Sequence, residues 1–165
     1  MNRLILMRHG EAERDSANGD DFERPLSTAG LKEAQSTAEA LKELGLMPEL
    51  ALVSGAVRTR QTWAVAASVF AAAGEIIQDA LYLAEPKTIH KLVADAAGLA
   101  DTLIVVGHNP GLQELAVSLL VQATSPSGAI QKVRAGLPTG AAVVFLFDAN
   151  GRPAYDGVFF PRDRR

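Results

Sequence analysis

The feature that most constrains this chain is a set of short apolar runs that each stop abruptly at polar residues. Arg3 to Met7 ends at Arg8-His9, Leu50 to Val53 at Ser54-Gly55, and Thr102 to Val106 at Gly107-His108. Runs of this length read as strands, and their lack of polar alternation means that both faces are covered, as in parallel strands packed between helices. Helical periods fill the gaps. Thr28 caps a helix with Leu31, Ala34, Ala38, Leu41 and Leu44 on one face, ending at Gly45 with Pro48 beyond. An Ala-rich helix follows Ser54-Gly55, with Val57, Ala64, Val65 and Val69 inward, and stops by Gly74. Ile76-Ile77 reads as a brief strand. Pro86 opens a third helix, with Ile89, Leu92, Val93, Ala96 and Ala97 on one face. Asn109 as N-cap and Pro110 as first helical residue open a fourth, with Leu112, Leu115, Ala116, Leu119 and Leu120 inward.

The remaining segments are looser. Glu11 to Pro25 is an acidic loop, and a long loop in a compact domain signals function or mobility. Ala123 to Gly140, rich in Gly, Pro and Ser, reads as irregular. Ala142 to Phe147, the Asn150-Gly151 turn and Ala154 to Phe160 read as a terminal hairpin. With right-handed crossovers, the expected fold is α/β: a three-layer sandwich in which a mixed, mainly parallel sheet is flanked by helices. No repeat or linker interrupts the 165 residues, so residues 1–165 are read as one domain.

Composition narrows the function. Aromatics make up only 5% of the chain, so Ala, Val, Leu and Ile must build the core. A net charge of −3 argues against a nucleic-acid partner, and Arg162-Asp163-Arg164-Arg165 is the only basic cluster. The absence of cysteine excludes disulfides, thiolate metal sites and a catalytic thiol. Leu4 to Met7 falls far short of a signal-peptide apolar region, and Trp63 to Ala73 is too Ala-rich and too short to span a bilayer. The expectation is a soluble, cytoplasmic, monomeric protein with no membrane partner.

In sheets of this kind, ligands bind where strand C-termini feed into loops. Arg8-His9-Gly10-Glu11, the segment Ser54 to Thr62 with Arg58 and Arg60, and Gly107-His108-Asn109-Pro110 all fall at such ends. Two imidazoles and at least two guanidiniums converging there make a site for phosphate or a similar oxyanion. Arginine forks match phosphoryl oxygens with paired hydrogen bonds and stay charged at any working pH. The helix opening at Asn109 would add its positive dipole end. Arg60 reads as a surface neighbour of Arg58, Arg3 as a solvated strand start, and His90 as a solvated residue between Lys87 and Lys91. Arg24, just before Pro25-Leu26, either faces the pocket or pairs with Glu23, and is counted among the substrate-binding candidates. A zinc site built from His9, His90 and His108 matches no ligand spacing and would set Arg8 against the metal.

Four motifs occur in order: Arg8-His9-Gly10-Glu11, Pro25-Leu26-Ser27-Thr28-Ala29-Gly30, Val53-Ser54…Arg58…Gln61-Thr62, and Gly107-His108-Asn109-Pro110. Together they resemble the histidine phosphatase superfamily, whose fold is phosphoglycerate-mutase-like. The small size and Leu81-Tyr82-Leu83-Ala84 are most similar to its SixA-type phosphohistidine phosphatase branch. The resemblance implies that His9 is a nucleophile that becomes phosphorylated, with Arg8, Arg58 and His108 holding the phosphoryl oxygens. It implies no metal and no cofactor. The implied substrate is a phosphorylated protein, either a histidine phosphotransfer domain or a phosphocarrier. A small-molecule phosphomonoesterase, a mutase of the same fold, and a non-catalytic phospho-ligand binding module are the rivals. Where many members of the superfamily carry a glutamate acid after the second helix, this chain has no confident match. Glu11, Asp79 and Glu85 remain open as candidates.

Overall fold

The computed structural model describes residues 1–71 and 73–161, so the basic cluster Arg162-Asp163-Arg164-Arg165 lies outside the described residues. The apolar runs are strands. β1 (Arg3–Arg8), β2 (Leu50–Val53), β3 (Gly74–Ile77) and β4 (Thr102–Gly107) run parallel, while β5 (Ala142–Phe147) and β6 (Pro153–Phe159) form the terminal hairpin. The sheet order is β3-β2-β4-β1-β5-β6, with β5 antiparallel to β1. Among the described residues no helix is long and apolar enough to cross a membrane.

Side-chain alternation along the strands sorts the core into two clusters, one on each face of the sheet. Ile5, Met7, Ala51, Val53, Ile104 and Val106 point toward α1 (Thr28–Glu43) and α2 (Val57–Phe70), meeting Ala34, Ala38, Leu41, Trp63, Ala66 and Phe70. Leu4, Leu6, Leu52, Leu103 and Val105 point the other way, toward α3 (Pro86–Ala96), α4 (Gly111–Gln122) and α5 (Ser127–Ala135). This is the expected three-layer sandwich.

Several local expectations are corrected. Ser27, not Thr28, caps α1, its Oγ accepting from the Gly30 N–H at 3.1 Å. Leu31 and Leu44 are 42% and 65% exposed, so the buried stripe of α1 is Ala34, Ala38 and Leu41 with the polar Glu33 and Thr37. In α2, Ala64 is exposed and Val65 and Val69 are half-buried; Trp63, Ala66 and Phe70 face the core instead. The first turns of α2 bury Arg58, Thr59 and Thr62, a polar stripe that sets the helix phase and hides it from apolar periodicity. Asn109 does not cap α4, which begins at Gly111 after Pro110, and its amide donates to the Leu137 carbonyl at 2.9 Å. The segment expected to be irregular contains α5, which buries only Val133 and therefore shows no stripe. β6 starts one residue early, at Pro153.

The acidic loop is tied down rather than free. Ala12 pairs with Leu26 in an isolated bridge, and Asp21–Glu23 forms a 3-10 turn whose Phe22 N–H donates to the Asp20 carboxylate. The loop can close because Gly10 and Gly30 let two backbones touch. A Cβ on Gly30 would sit 2.0 Å from the Glu11 carbonyl oxygen, and one on Gly10 would sit 2.4 Å from that of Gly30. Gly30→Ala is therefore expected to lower the unfolding free energy by about 1–3 kcal/mol in urea titration. Gly98→Ala, where a Cβ meets nothing within 4 Å, should leave it nearly unchanged.

Candidate active site

The β1–β4 register pairs Arg8 with Gly107, so the chain leaves the two strands side by side as His9 and His108. The imidazole centroids are 5.3 Å apart, and both side chains are buried. Val53 lies opposite Val106 on the other side of β4, which delivers Ser54 and then Arg58, at the start of α2, to the same edge. The structure thus brings together Arg8, His9, Arg58 and His108 from three strand ends.

The turn after β1 is held from every side. The His9 N–H donates to the Gly107 carbonyl at 3.1 Å, and the His9 carbonyl accepts from the Gly140 N–H at 2.8 Å. The Gly10 N–H donates to Thr62 Oγ1 at 3.0 Å, and the Glu11 N–H to Glu33 Oε1 at 2.7 Å. Within this frame, His9 Nδ1 lies 2.6 Å from the Gly10 carbonyl. A carbonyl can only accept, so Nδ1 carries the proton and Nε2 is left with the lone pair. Burial, with Arg58 and Arg8 nearby, lowers the His9 pKa to about 4, against the raising effect of the Gly10 bond. The ring is neutral near pH 7.

His108 Nε2 is hydrogen-bonded to Ser54 Oγ at 2.7 Å, while Nδ1 is buried without a partner. Burial first, then His9 and Arg58, lowers its pKa to about 3. Arg58 donates from Nη1 to the Asp21 carbonyl at 2.8 Å and from Nη2 to Asp21 Oδ2 at 3.1 Å, and its Nε is buried without a partner. Arg8 donates from Nη1 to the Leu137 carbonyl at 3.0 Å. On that side a groove of about 530 Å³ opens, lined by Arg8, Asn109, Lys132 and Phe160 among others.

Other sequence candidates fall elsewhere. Arg24 pairs with Asp21, not Glu23, donating from Nε to Oδ1 at 2.9 Å and from Nη1 to the Glu13 carbonyl at 2.8 Å. Arg60 is exposed. Arg3 forms an ion pair with Asp156 at 3.5 Å rather than standing in solvent. His90 is exposed on α3 and borders a small cavity beside Met1, at the far end of the sheet. Of the candidate acids, Glu11 accepts from Ser27 Oγ at 3.1 Å, Glu85 is exposed at the start of α3, and exposed Asp79 lies against Gly55. None of these three carboxylates bonds to His9 or His108.

Two site residues have no role assigned by the sequence, Asp21 and Tyr82, the latter standing there only as part of the segment Leu81-Tyr82-Leu83-Ala84. Asp21 holds Arg58 and Arg24, and the Tyr82 hydroxyl donates to its Oδ2. The Tyr82 ring stands edge-on to His108 at 5.4 Å and to Phe22 at 4.9 Å. Chiefly through the Tyr82 bond, with help from both arginines, the Asp21 pKa is lowered to about 2. For Asp21 the acidity of its loop is the hint the sequence offers.

Guanidiniums thus surround a neutral imidazole at the C-terminal ends of the parallel strands, an arrangement chemically suited to an oxyanion. The family model of the histidine phosphatase superfamily (branch 1) matches residues 4–81. An uncharacterised protein of Picosynechococcus is 34% identical over 147 residues, 84% of this chain and 86% of that one. An uncharacterised chloroplast protein of Arabidopsis thaliana is 45% identical over 60 residues, 36% of this chain but only 28% of its own length. The crystal structure of SixA from Agrobacterium tumefaciens, a protein assigned as a phosphohistidine phosphatase, is 26% identical with a TM-score of 0.85, covering 97% of this chain and 98% of that one. The chain belongs to the histidine phosphatase superfamily, and its phosphoglycerate-mutase-like fold is that of the SixA-type branch.

The buried imidazoles carry a stability consequence. In the unfolded chain they bind protons near pH 6.5, but in the folded chain only near pH 4 and 3. Between those limits the unfolded state holds more protons, so stability falls as pH drops below 6.5. At pH 5 the loss should be on the order of 1–2 kcal/mol per imidazole in urea titration. The double variant His9→Asn, His108→Asn should lose that part of the slope. An unchanged slope would mean that the rings titrate normally.

Proposed function

We propose that the protein is a phosphohistidine phosphatase that removes the phosphoryl group from a protein-borne phosphohistidine through a phosphorylated His9. The observation that carries this reading is a pair of buried nitrogens without partners, Arg58 Nε and His108 Nδ1, beside an imidazole whose Nε2 lone pair is available. Buried polar atoms are nearly always satisfied, and a phosphoryl group between these residues would satisfy both. The similarity to the SixA protein of A. tumefaciens supports the same substrate class.

The chemistry follows from this geometry. His9 Nε2 attacks phosphorus as the bond from phosphorus to the substrate nitrogen breaks, and that electron pair leaves with the substrate imidazole. The imidazole departs neutral when its other ring nitrogen arrives protonated. His9 then carries phosphorus on Nε2 and a proton on Nδ1, a cation whose N–H donates to the Gly10 carbonyl. Water attacks phosphorus, the Nε2–P electrons return to His9, and phosphate leaves. Arg8, Arg58 and His108 hold the equatorial oxygens through both steps, and loss of one such donor typically costs about 100- to 1,000-fold in turnover. Arg24, which shares Asp21 with Arg58, would add a further cation beside the same oxygens. No metal is required, because guanidiniums neutralise the charge.

Two tests follow. Quenching with labelled substrate should trap an acid-labile, alkali-stable phosphoenzyme that His9→Ala abolishes, with EDTA leaving turnover unchanged. Label elsewhere, or activity that needs an added divalent ion, would overturn the mechanism. An alkyl ester expels an alkoxide and needs an acid worth roughly 100- to 10,000-fold. Since none of Glu11, Asp79 or Glu85 contacts the imidazoles, kcat/KM for a phosphohistidine protein or phosphoramidate should exceed that for phosphoserine peptides and 3-phosphoglycerate by at least roughly tenfold. Equal rates would favour a small-molecule phosphomonoesterase.

A further inference from the structure

Asp21 is a carboxylate bonded directly to the cationic cradle. Its Oδ1 accepts from Arg24 Nε, its Oδ2 from Arg58 Nη2 and from the Tyr82 hydroxyl, and its backbone carbonyl from Arg58 Nη1. The side chain is 48% exposed, so this arrangement is not an accident of close packing in a core. The turn that presents it is secured separately, since Asp20 accepts from the Phe22 N–H at 3.2 Å and the Arg24 N–H donates to the Asp21 carbonyl at 3.1 Å.

We propose that Asp21 is a positioning residue for the phosphoryl cradle: it grips the outer end of the Arg58 guanidinium, turning the Nε side inward to the oxyanion, and it holds Arg24 at the rim. The inference rests on the anion-site reading above. A guanidinium has five N–H donors. Two are spent on Asp21, and the buried Nε is among the three that remain. A long, flexible side chain pays for its ordering when the ligand binds unless another group has already ordered it. A planar fork gripped at two points cannot turn about its own axis.

A rival reading of the same contacts makes Asp21 a plug, a negative group standing in the place of the substrate. The two readings predict opposite signs. A plug repels oxyanions, so removing its charge would tighten their binding. A positioning residue strengthens binding despite its charge. The contacts favour positioning. Asp21 leaves Nε uncovered, and its single charge is set against two guanidiniums, so the cluster stays cationic. Tyr82 adds a further hold, because its ring packs near-perpendicular to both Phe22 and His108 while its hydroxyl fixes the carboxylate.

The test is calorimetric titration of the full chain with inorganic phosphate, with thermal melts alongside. Asp21→Asn keeps the size and the backbone carbonyl but loses the charged clamp. It should weaken phosphate binding at least about tenfold, or about 1.4 kcal/mol, with little change in melting temperature. Asp15→Asn removes an equal charge from an exposed position of the same loop and should change binding by no more than about twofold, as screened surface charges do. Tyr82→Phe, which removes one hold on the carboxylate, should fall between them. Should Asp21→Asn fail to fold, Asp21→Glu carries the test: the charge is kept, the carboxylate is displaced, and binding should still weaken. Unchanged or tighter phosphate binding by the Asp21 variants would overturn the proposal and leave the anion site standing. Failure of the unaltered protein to bind phosphate would overturn the anion-site reading itself, and the positioning role with it.

Discussion

The parallel pairing of β1 with β4 is the constraint on which the rest depends. It sets Arg8 beside Gly107, and so requires the next residue of each strand, His9 and His108, to emerge together. Parallel strands separated by long crossovers are the only way to bring residues about a hundred positions apart to one edge with matched direction. The apolar runs that make this pairing possible are buried on both faces by the two helical layers. Stability of the sheet and geometry of the site are therefore one problem: a one-residue slip of register would send each core side chain to the wrong helical layer and separate the imidazoles together.

The same burial tunes the chemistry. Withdrawing the imidazoles from water opposes their charged forms, and the neighbouring guanidiniums act in the same direction. A neutral ring with Nδ1 committed to the Gly10 carbonyl presents its lone pair on the opposite side. The surrounding positive charge meanwhile stays on arginines, which do not deprotonate. One low-dielectric cluster thus keeps its imidazoles uncharged and its guanidiniums charged, because the ordinary pKa values of the two groups lie far apart.

The frame around the candidate nucleophile is made largely by backbone groups and buried polar side chains from distant segments. Gly140 precedes β5, Glu33 and Gly30 belong to α1, and Thr62 belongs to α2, yet all converge on residues 9–11. Buried Glu33 bonds both the Glu11 N–H and the Thr139 hydroxyl, joining the turn after β1 to the approach to β5. Such a turn has little freedom, so the His9 imidazole is oriented before any ligand arrives.

Much of this was legible in the chain itself. Apolar runs ending at Arg8-His9, Ser54 and Gly107-His108 determined a parallel α/β sheet and the edge at which Arg8, His9, Arg58 and His108 meet, because strand length, continuous apolarity and loop position are local properties. The phase of α2 was not legible, since its inward stripe of Arg58, Thr59 and Thr62 is polar and answers to the site rather than to the core. Nor was α5, which buries a single side chain. The partner of Arg24 and the holder of Arg58 both proved to be Asp21, one of many carboxylates in an acidic loop with nothing in sequence to set it apart. Which carboxylate closes on which guanidinium depends on how the loop crosses the sheet edge, and that path is set by the Gly10–Gly30 backbone contact and the Ala12–Leu26 bridge. Local pattern decides which elements form and where the chemistry gathers; only long-range closure of the chain decides which side chains hold that chemistry in place.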